Sequence, residues 1–338
     1  MSSIYFLSPL DMFKKDINYA HLISSGREKY GENKYEDSIE DFTKAIKKIP
    51  NFIDAYICRG KANFNLKKYE EAIEDFNQSI DRIPTIELNP FSFLSYKFRG
   101  RAKFKLKDYQ GAIDDLSRAI ELKEVYTAYF ENEFIDHISN THLGAKINPI
   151  KRKPAIEEVC SAFNQRGNAK FELKDYQGAI DDFSKAIEID PNNADYYNFR
   201  GIAKDDNEEL QDAIDDYTKA IEINPNNYRY YANRGSAKYE SGDYQGAFDD
   251  YLKVKEIHPS CLSCYDFPNV KIKLGDYRGA IDDLTTALEI SPYDKNCYSL
   301  RGNAKYKIND LKGACEDWKK AEELGSEDAA TLLKEHCE

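Results

Sequence analysis

One segment recurs along this chain, and that recurrence limits what it can fold into more than any other feature. GNAKFELKDYQGAIDDFSKAIEIDPNN (167–193) returns as GSAKYESGDYQGAFDDYLKVKEIHPS (235–260) and as GRAKFKLKDYQGAIDDLSRAIEL (100–122). The Tyr or Leu that opens the second half of each copy fixes the register: Tyr35, Tyr69, Tyr109, Tyr176, Leu210, Tyr244, Tyr277 and Leu311, spaced by 34, 40, 67, 34, 34, 33 and 34 residues. The period is therefore 34, with about six extra residues near 87–92 and a larger insertion over 124–158. A period of this length marks stacked supersecondary units, none of which can bury its apolar face alone.

Each copy holds two stretches of helical length with apolar residues three and four apart, as in AIDDFSKAI, and strand patterns are absent. Small residues hold one position of the first stretch: Gly26, Gly60, Gly100, Gly167, Gly201, Gly235 and Gly302. Ala72, Ala112, Ala179, Ala213, Ala247, Ala280 and Ala314 hold one of the second, with Ser38 in the first copy. Pro50, Pro84, Pro191, Pro225, Pro259 and Pro292 close six of the units. This pattern resembles the tetratricopeptide repeat over most of the chain. The resemblance implies an all-α fold, a right-handed α-solenoid (superhelix) of eight antiparallel helix pairs. The expected organisation is an N-terminal tail or cap (1–18), repeats 1–3 (19–123), an insertion (124–158), repeats 4–8 (159–324) and a capping helix (325–338). In the last of these, Gly325 ends one helix, Ser326 caps the next, and Ala329, Leu332 and Leu333 cover the open end.

Arg stands one residue before the recurrent Gly in six units (Arg59, Arg99, Arg166, Arg200, Arg234, Arg301). Asp stands three residues after the recurrent Ala, or after Ser38 in the first copy, in all eight (Asp41, Asp75, Asp115, Asp182, Asp216, Asp250, Asp283, Asp317). Both positions face the seam between the two helices, so an internal Arg–Asp pair that fixes hairpin register is predicted, rather than an anion-binding ladder.

Hydrophobic residues make up 41% and charged residues 32% of the chain, a composition that folds, and no apolar run approaches a membrane span. The opening MSSIYFLSPLDMFKKD lacks the basic lead and cleavage site of a signal peptide, so seven reduced cysteines in a cytoplasm are expected. Charge is uneven. Residues 1–158 carry 25 basic and 25 acidic side chains, and 159–338 carry 23 and 35, so the net −12 lies wholly in the second part. An acidic half repels phosphate backbones and argues against nucleic acid.

The family resemblance puts the first helix of each unit on the concave face. Its groove positions hold Arg27, Lys61, Lys97, Arg101 and Lys105 in repeats 1–3. Further on they hold Asn164, Asn168, Asn198, Arg229, Asn233, Tyr239, Asn269 and Asn303, accompanied by Glu172, Asp205, Asp206 and Glu240. The N-terminal groove should be basic and the middle polar to acidic, with amides suited to an extended peptide backbone. One subfamily grips a C-terminal carboxylate with a Lys, Asn and Arg set on three first helices; only Asn168 and Arg229 match it, so that specificity is not carried over.

Two places break the pattern. The insertion carries Tyr126, Phe130, Phe134 and Ile138 at helical spacing, then a loop with Gly144, Pro149 and Lys151-Arg152-Lys153-Pro154. Repeat 7 has Pro268 in place of Gly, so its first helix should start near Asp266 with Pro in the first turn. This leaves His258, Cys261 and Cys264 outside a helix; with Cys297 they form a weak zinc candidate without the usual paired spacing, and no metal is assigned. There is no nucleophile elbow, phosphate-cradling loop or HExxH run, and no cofactor is expected. The reading is a non-catalytic protein-interaction scaffold that takes a protein or peptide, acidic at the N-terminal end. The alternatives are a self-assembly module and an RNA-binding helical-repeat protein.

Overall fold

The computed structural model describes residues 17–83, 90–123, 152–258 and 266–337, and within these every regular element is an α-helix. The chain forms two compact units, Met1–Pro191 and Asn192–Glu338.

The first unit holds four hairpins: α1 (Ile17–Gly31) with α2 (Tyr35–Lys48), α3 (Ile53–Asn65) with α4 (Tyr69–Asp81), α5 (Pro90–Lys105) with α6 (Tyr109–Glu121), and α7 (Arg152–Glu172) with α8 (Tyr176–Ile189). The second holds α9 (Ala194–Asp206) with α10 (Leu210–Ile223), α11 (Tyr228–Ser241) with α12 (Tyr244–Ile257), α13 (Asp266–Lys273) with α14 (Tyr277–Ile290), and α15 (Lys295–Lys307) with α16 (Leu311–Glu323). A last helix, α17 (Glu327–His336), follows. Within each unit, the helices pack on their hairpin partners and on the neighbouring hairpin. First helices also touch first helices directly, α1–α3–α5–α7 in one unit, and α9–α11 and α13–α15 in the other. That contact sets the first helices side by side.

Close approach inside a hairpin rests on the recurrent Gly. A Cβ at Gly201 would lie 2.7 Å from the Tyr217 ring, at Gly167 2.8 Å from Phe183, and at Gly302 2.6 Å from Trp318. Those rings are almost wholly buried, so they cannot step aside. Repeat 7 has Pro268 in place of the Gly and Leu284 in place of the ring, and α13 is a short helix with Pro in its first turn, where the missing N–H removes no helix bond.

Every hairpin turns through one left-handed residue two positions before its second helix. These are Asn33, Lys67, Lys107, Lys174, Glu208 and Asn309 (φ 61–64°), with Gly242 and Gly275 in the other two. Next comes the N-cap. Asp108, Asp175, Asp243, Asp276 and Asp310 accept from the backbone N–H of the Gly three residues on, at 2.9–3.0 Å. Asn193, Asn227 and Asp294 do the same for first helices, which is how the Pro-Asn-Asn segments end one hairpin and open another.

Two expectations change here. Arg152, Lys153 and Pro154 begin α7 instead of ending a loop, because a first-turn proline breaks no hydrogen bond. The cysteines are not all reduced: Cys315 on α16 is disulfide-bonded to Cys337 just beyond α17, while Cys58 and Cys160 are free thiols. The insertion residues Tyr126, Phe130, Phe134 and Ile138, and Cys261 and Cys264, lie outside the described residues.

Candidate functional site

The seam charges are internal. All six arginines reach the Asp sixteen residues on through Nε and Nη2, at 2.5–3.1 Å. The aspartates of these pairs are buried. A lysine four residues after the arginine adds a second cation at 2.8–2.9 Å in five units: Lys103, Lys170, Lys204, Lys238 and Lys305. Nη1 of Arg59, Arg166, Arg234 and Arg301 donates to Thr43, Ser117, Thr218 and Thr285 of the preceding hairpin. The side chain that sets hairpin register thus also ties hairpin to hairpin. With its donors spent in this way, the ladder offers little to a ligand.

In the first unit the predicted groove residues lie on the adjacent helices α1, α3, α5 and α7. Arg27 is exposed and bonded to Asp54 of α3 at 2.5 Å. Lys61 is half-buried, its Nζ 4.7 Å from the centre of the Phe98 ring. The Arg101 guanidinium lies 4.9 Å from the Phe64 ring centre and 5.3 Å from that of Phe98. Tyr30 completes the aromatic set, its hydroxyl accepting from Asn65 at 2.8 Å and its ring 6.0 Å from Lys61. Lys105 is exposed beside Phe104.

Lys97 departs from the expectation of an exposed groove cation. It is 2% exposed, lies over Phe98 and forms an ion pair with Glu158. Its helix position turns it under α7, whose first turns deliver the carboxylate. Burial lowers the Lys97 ammonium from its ordinary value against the pull of Glu158, and burial likewise lowers Arg101. On α7, Asn164 is half-buried with a buried side-chain oxygen that has no hydrogen-bond donor among the described residues, and Asn168 is half-buried.

In the second unit several amides are committed to the fold. Asn233 donates to the buried Asn198 at 2.9 Å, and Asn303 accepts from the Trp318 indole at 2.9 Å. Asn303 therefore orients a core tryptophan. Arg229 is exposed against Tyr228, Tyr239 packs edge-on to Tyr244, and Asn269 is half-buried on α13. Burial first, and then the neighbouring Glu240, raise the Asp205 carboxyl. His258 is exposed and packs at a tilt on Tyr228, whereas Cys297 is fully buried with Leu284 and Leu288, so their surroundings differ sharply. No metal-binding cluster occurs among the described residues.

Sequence reasoning missed Phe98 and Glu158. Phe98 stands outside the positions read as facing the groove, and Glu158 lay in what read as insertion. A longer helical pattern running back from Val159 through Glu158 and Ile156 was the available signal.

Paired antiparallel helices, stacked through recurrent small residues and internal ion pairs, define a helical-repeat solenoid. The tetratricopeptide repeat family matches residues 53–86, 160–193 and 194–227. The chain carries tetratricopeptide repeats at these positions. Among solved structures, pilF of Pseudomonas aeruginosa is 14% identical with a TM-score of 0.56, over 77% of this chain and 99% of that one. The C-terminal part of a TPR repeat-containing protein from Cytophaga hutchinsonii is 18% identical with a TM-score of 0.53, over 92% and 99%. These likenesses concern the fold. Proteins built from these repeats generally mediate protein–protein interaction. Among the described residues no helix is long and apolar enough to cross a membrane.

Proposed function

We propose that this chain is a non-catalytic adaptor that holds a protein or peptide along the first helices of its first unit, with acidic groups of the guest at the α3–α5 end. The observation that carries this reading is the half-buried pair Lys61 and Arg101 on the rings of Phe64 and Phe98. Neither cation makes an ion pair among the described residues. Cations placed over aromatic faces and partly stripped of water favour an incoming carboxylate. Nucleic acid and membrane are not partners in this reading, since the excess charge of the chain is negative. A cytoplasmic location belongs to it as well, and there the Cys315–Cys337 bond would be of the reversible kind.

Lys61→Glu with Arg101→Glu tests the reading by affinity capture from extract of the native cells. Lys97 is left intact because it is buried. Partners recovered by the wild type should be lost from the double variant while its helical content is unchanged; equal recovery contradicts a basic guest-binding end. A second reading, self-assembly, draws on Ile290 and Tyr293 of the second unit, which are 81% and 82% exposed. Sedimentation that depends on concentration, and loses that dependence in Ile290→Ser with Tyr293→Ser, would favour it.

A further inference from the structure

Three cations, Lys61, Lys97 and Arg101, surround the single ring of Phe98, with Nζ or Cζ 4.7, 5.3 and 5.3 Å from its centre. One carboxylate answers them. It belongs to Glu158, 30% exposed at the start of α7, and it reaches the buried Lys97. Lys61 and Arg101 make no ion pair among the described residues, although the Glu158 charge also acts on Arg101, and each presses on Lys97 as a like charge. Clustering cations away from water is unfavourable unless anions join them. The fold has supplied one anion from its own chain to a cluster with charge for more.

We infer that Lys61 and Arg101 over Phe98 form a carboxylate-binding subsite for an acidic side chain of a guest, and that Glu158 is a built-in competitor which holds its affinity down. Glu158 weakens the subsite in two ways. It neutralises part of the positive field, and it repels a second carboxylate arriving beside it. At a separation of several ångströms in a partly buried setting, removing that one charge should tighten binding about tenfold. A guest acidic enough to outbid Glu158 would be held, and a weakly acidic one refused, so the internal carboxylate acts as a selectivity threshold. This rests on the groove reading proposed above.

Fluorescence anisotropy with an amino-terminally labelled hexaglutamate peptide, on the full chain at low salt, tests it. The wild type should bind, Glu158→Gln should bind about tenfold tighter, and adding Lys61→Met and Arg101→Met should abolish the gain. Glu158→Gln leaves Lys97 buried and unpaired, which threatens folding. The variant Lys97→Met with Glu158→Gln removes the pair together and should show the same direction of change. If the wild type binds through Lys61 and Arg101 but neither Glu158 variant binds more tightly, the competitor is overturned and the groove reading stands. If no variant binds, the subsite and the acidic-guest reading both fall.

Discussion

The seam aspartates carry the most local lesson. Seven of the eight repeats place a lysine three residues after the recurrent Gly, or after Pro268 in repeat 7 (Lys29, Lys103, Lys170, Lys204, Lys238, Lys271 and Lys305), and repeat 2 alone places Asn63 there. Burial holds the carboxyl of Asp75, which faces Arg59 and Asn63, above its ordinary value, whereas Asp41, bonded to Lys29, falls below it despite burial. A raised folded-state value means the contribution favours folding below the unfolded pKa and is lost as pH rises through the folded one. Asn63→Lys should therefore lower the Asp75 carboxyl in an NMR titration. It should also add about 1 kcal/mol of stability at pH 7, a gain that fades in acid as Asp75 protonates. A variant with an unmoved Asp75 titration would show that the second cation is not what sets these carboxylates. The pairing itself was legible in sequence because Arg and Asp recur in phase sixteen residues apart. The groove cations were less so. Lys97 and Lys61 read alike as surface lysines, and only the unforeseen first turns of α7 bury one and leave the other half-open.

At the level of the helix, termini decide where each hairpin bends. Asp caps the second helix in five repeats, while Lys34, Lys68 and Glu209 at the same place make no side-chain cap. Asp175→Ala should cost about 1 kcal/mol in urea denaturation. Lys68→Ala, where no cap exists, should cost much less; equal losses would mean the aspartates act through something other than the cap. The Pro and Asn signals between repeats, and the late start of α13 at Asp266, followed from residue chemistry alone. The left-handed turn did not. Six of its eight positions hold Lys, Asn or Glu, and Lys and Glu carry no signal for positive φ. The cooperative packing of the two helices imposes that conformation against local preference.

Taken as a whole, the chain is two stacks of hairpins, and a stack is weakest where it stops. The second ends on α17, whose Ala329 is fully buried with Trp318 and Ala321 of α16, backed by Leu332 and Leu333. His336 stacks on Tyr306 at 4.7 Å, and the Cys315–Cys337 bond spans 22 residues. Closing a loop of that size stabilises by roughly 3 kcal/mol in the chain-entropy view. Reduction should accordingly speed amide exchange in α17 and the end of α16 while leaving α1 to α8 unchanged; protection unaltered by reductant would mean that apolar packing alone holds the end. The repeat number and the helical cap were visible from periodicity, but the disulfide was not, since cysteine spacing alone does not report which thiols fold together.

The central claim is that the first helices of the first unit, and not the second helices, receive the guest. A photo-crosslinking residue placed at Lys105 or Asn168 on the first helices, and in separate proteins at Lys185 or Glu188 on α8, tests this most directly in extract from the native cells. The account predicts the same discrete adduct from Lys105 and Asn168, suppressed by excess hexaglutamate, and none from Lys185 or Glu188. Adducts arising only from the α8 positions would contradict it.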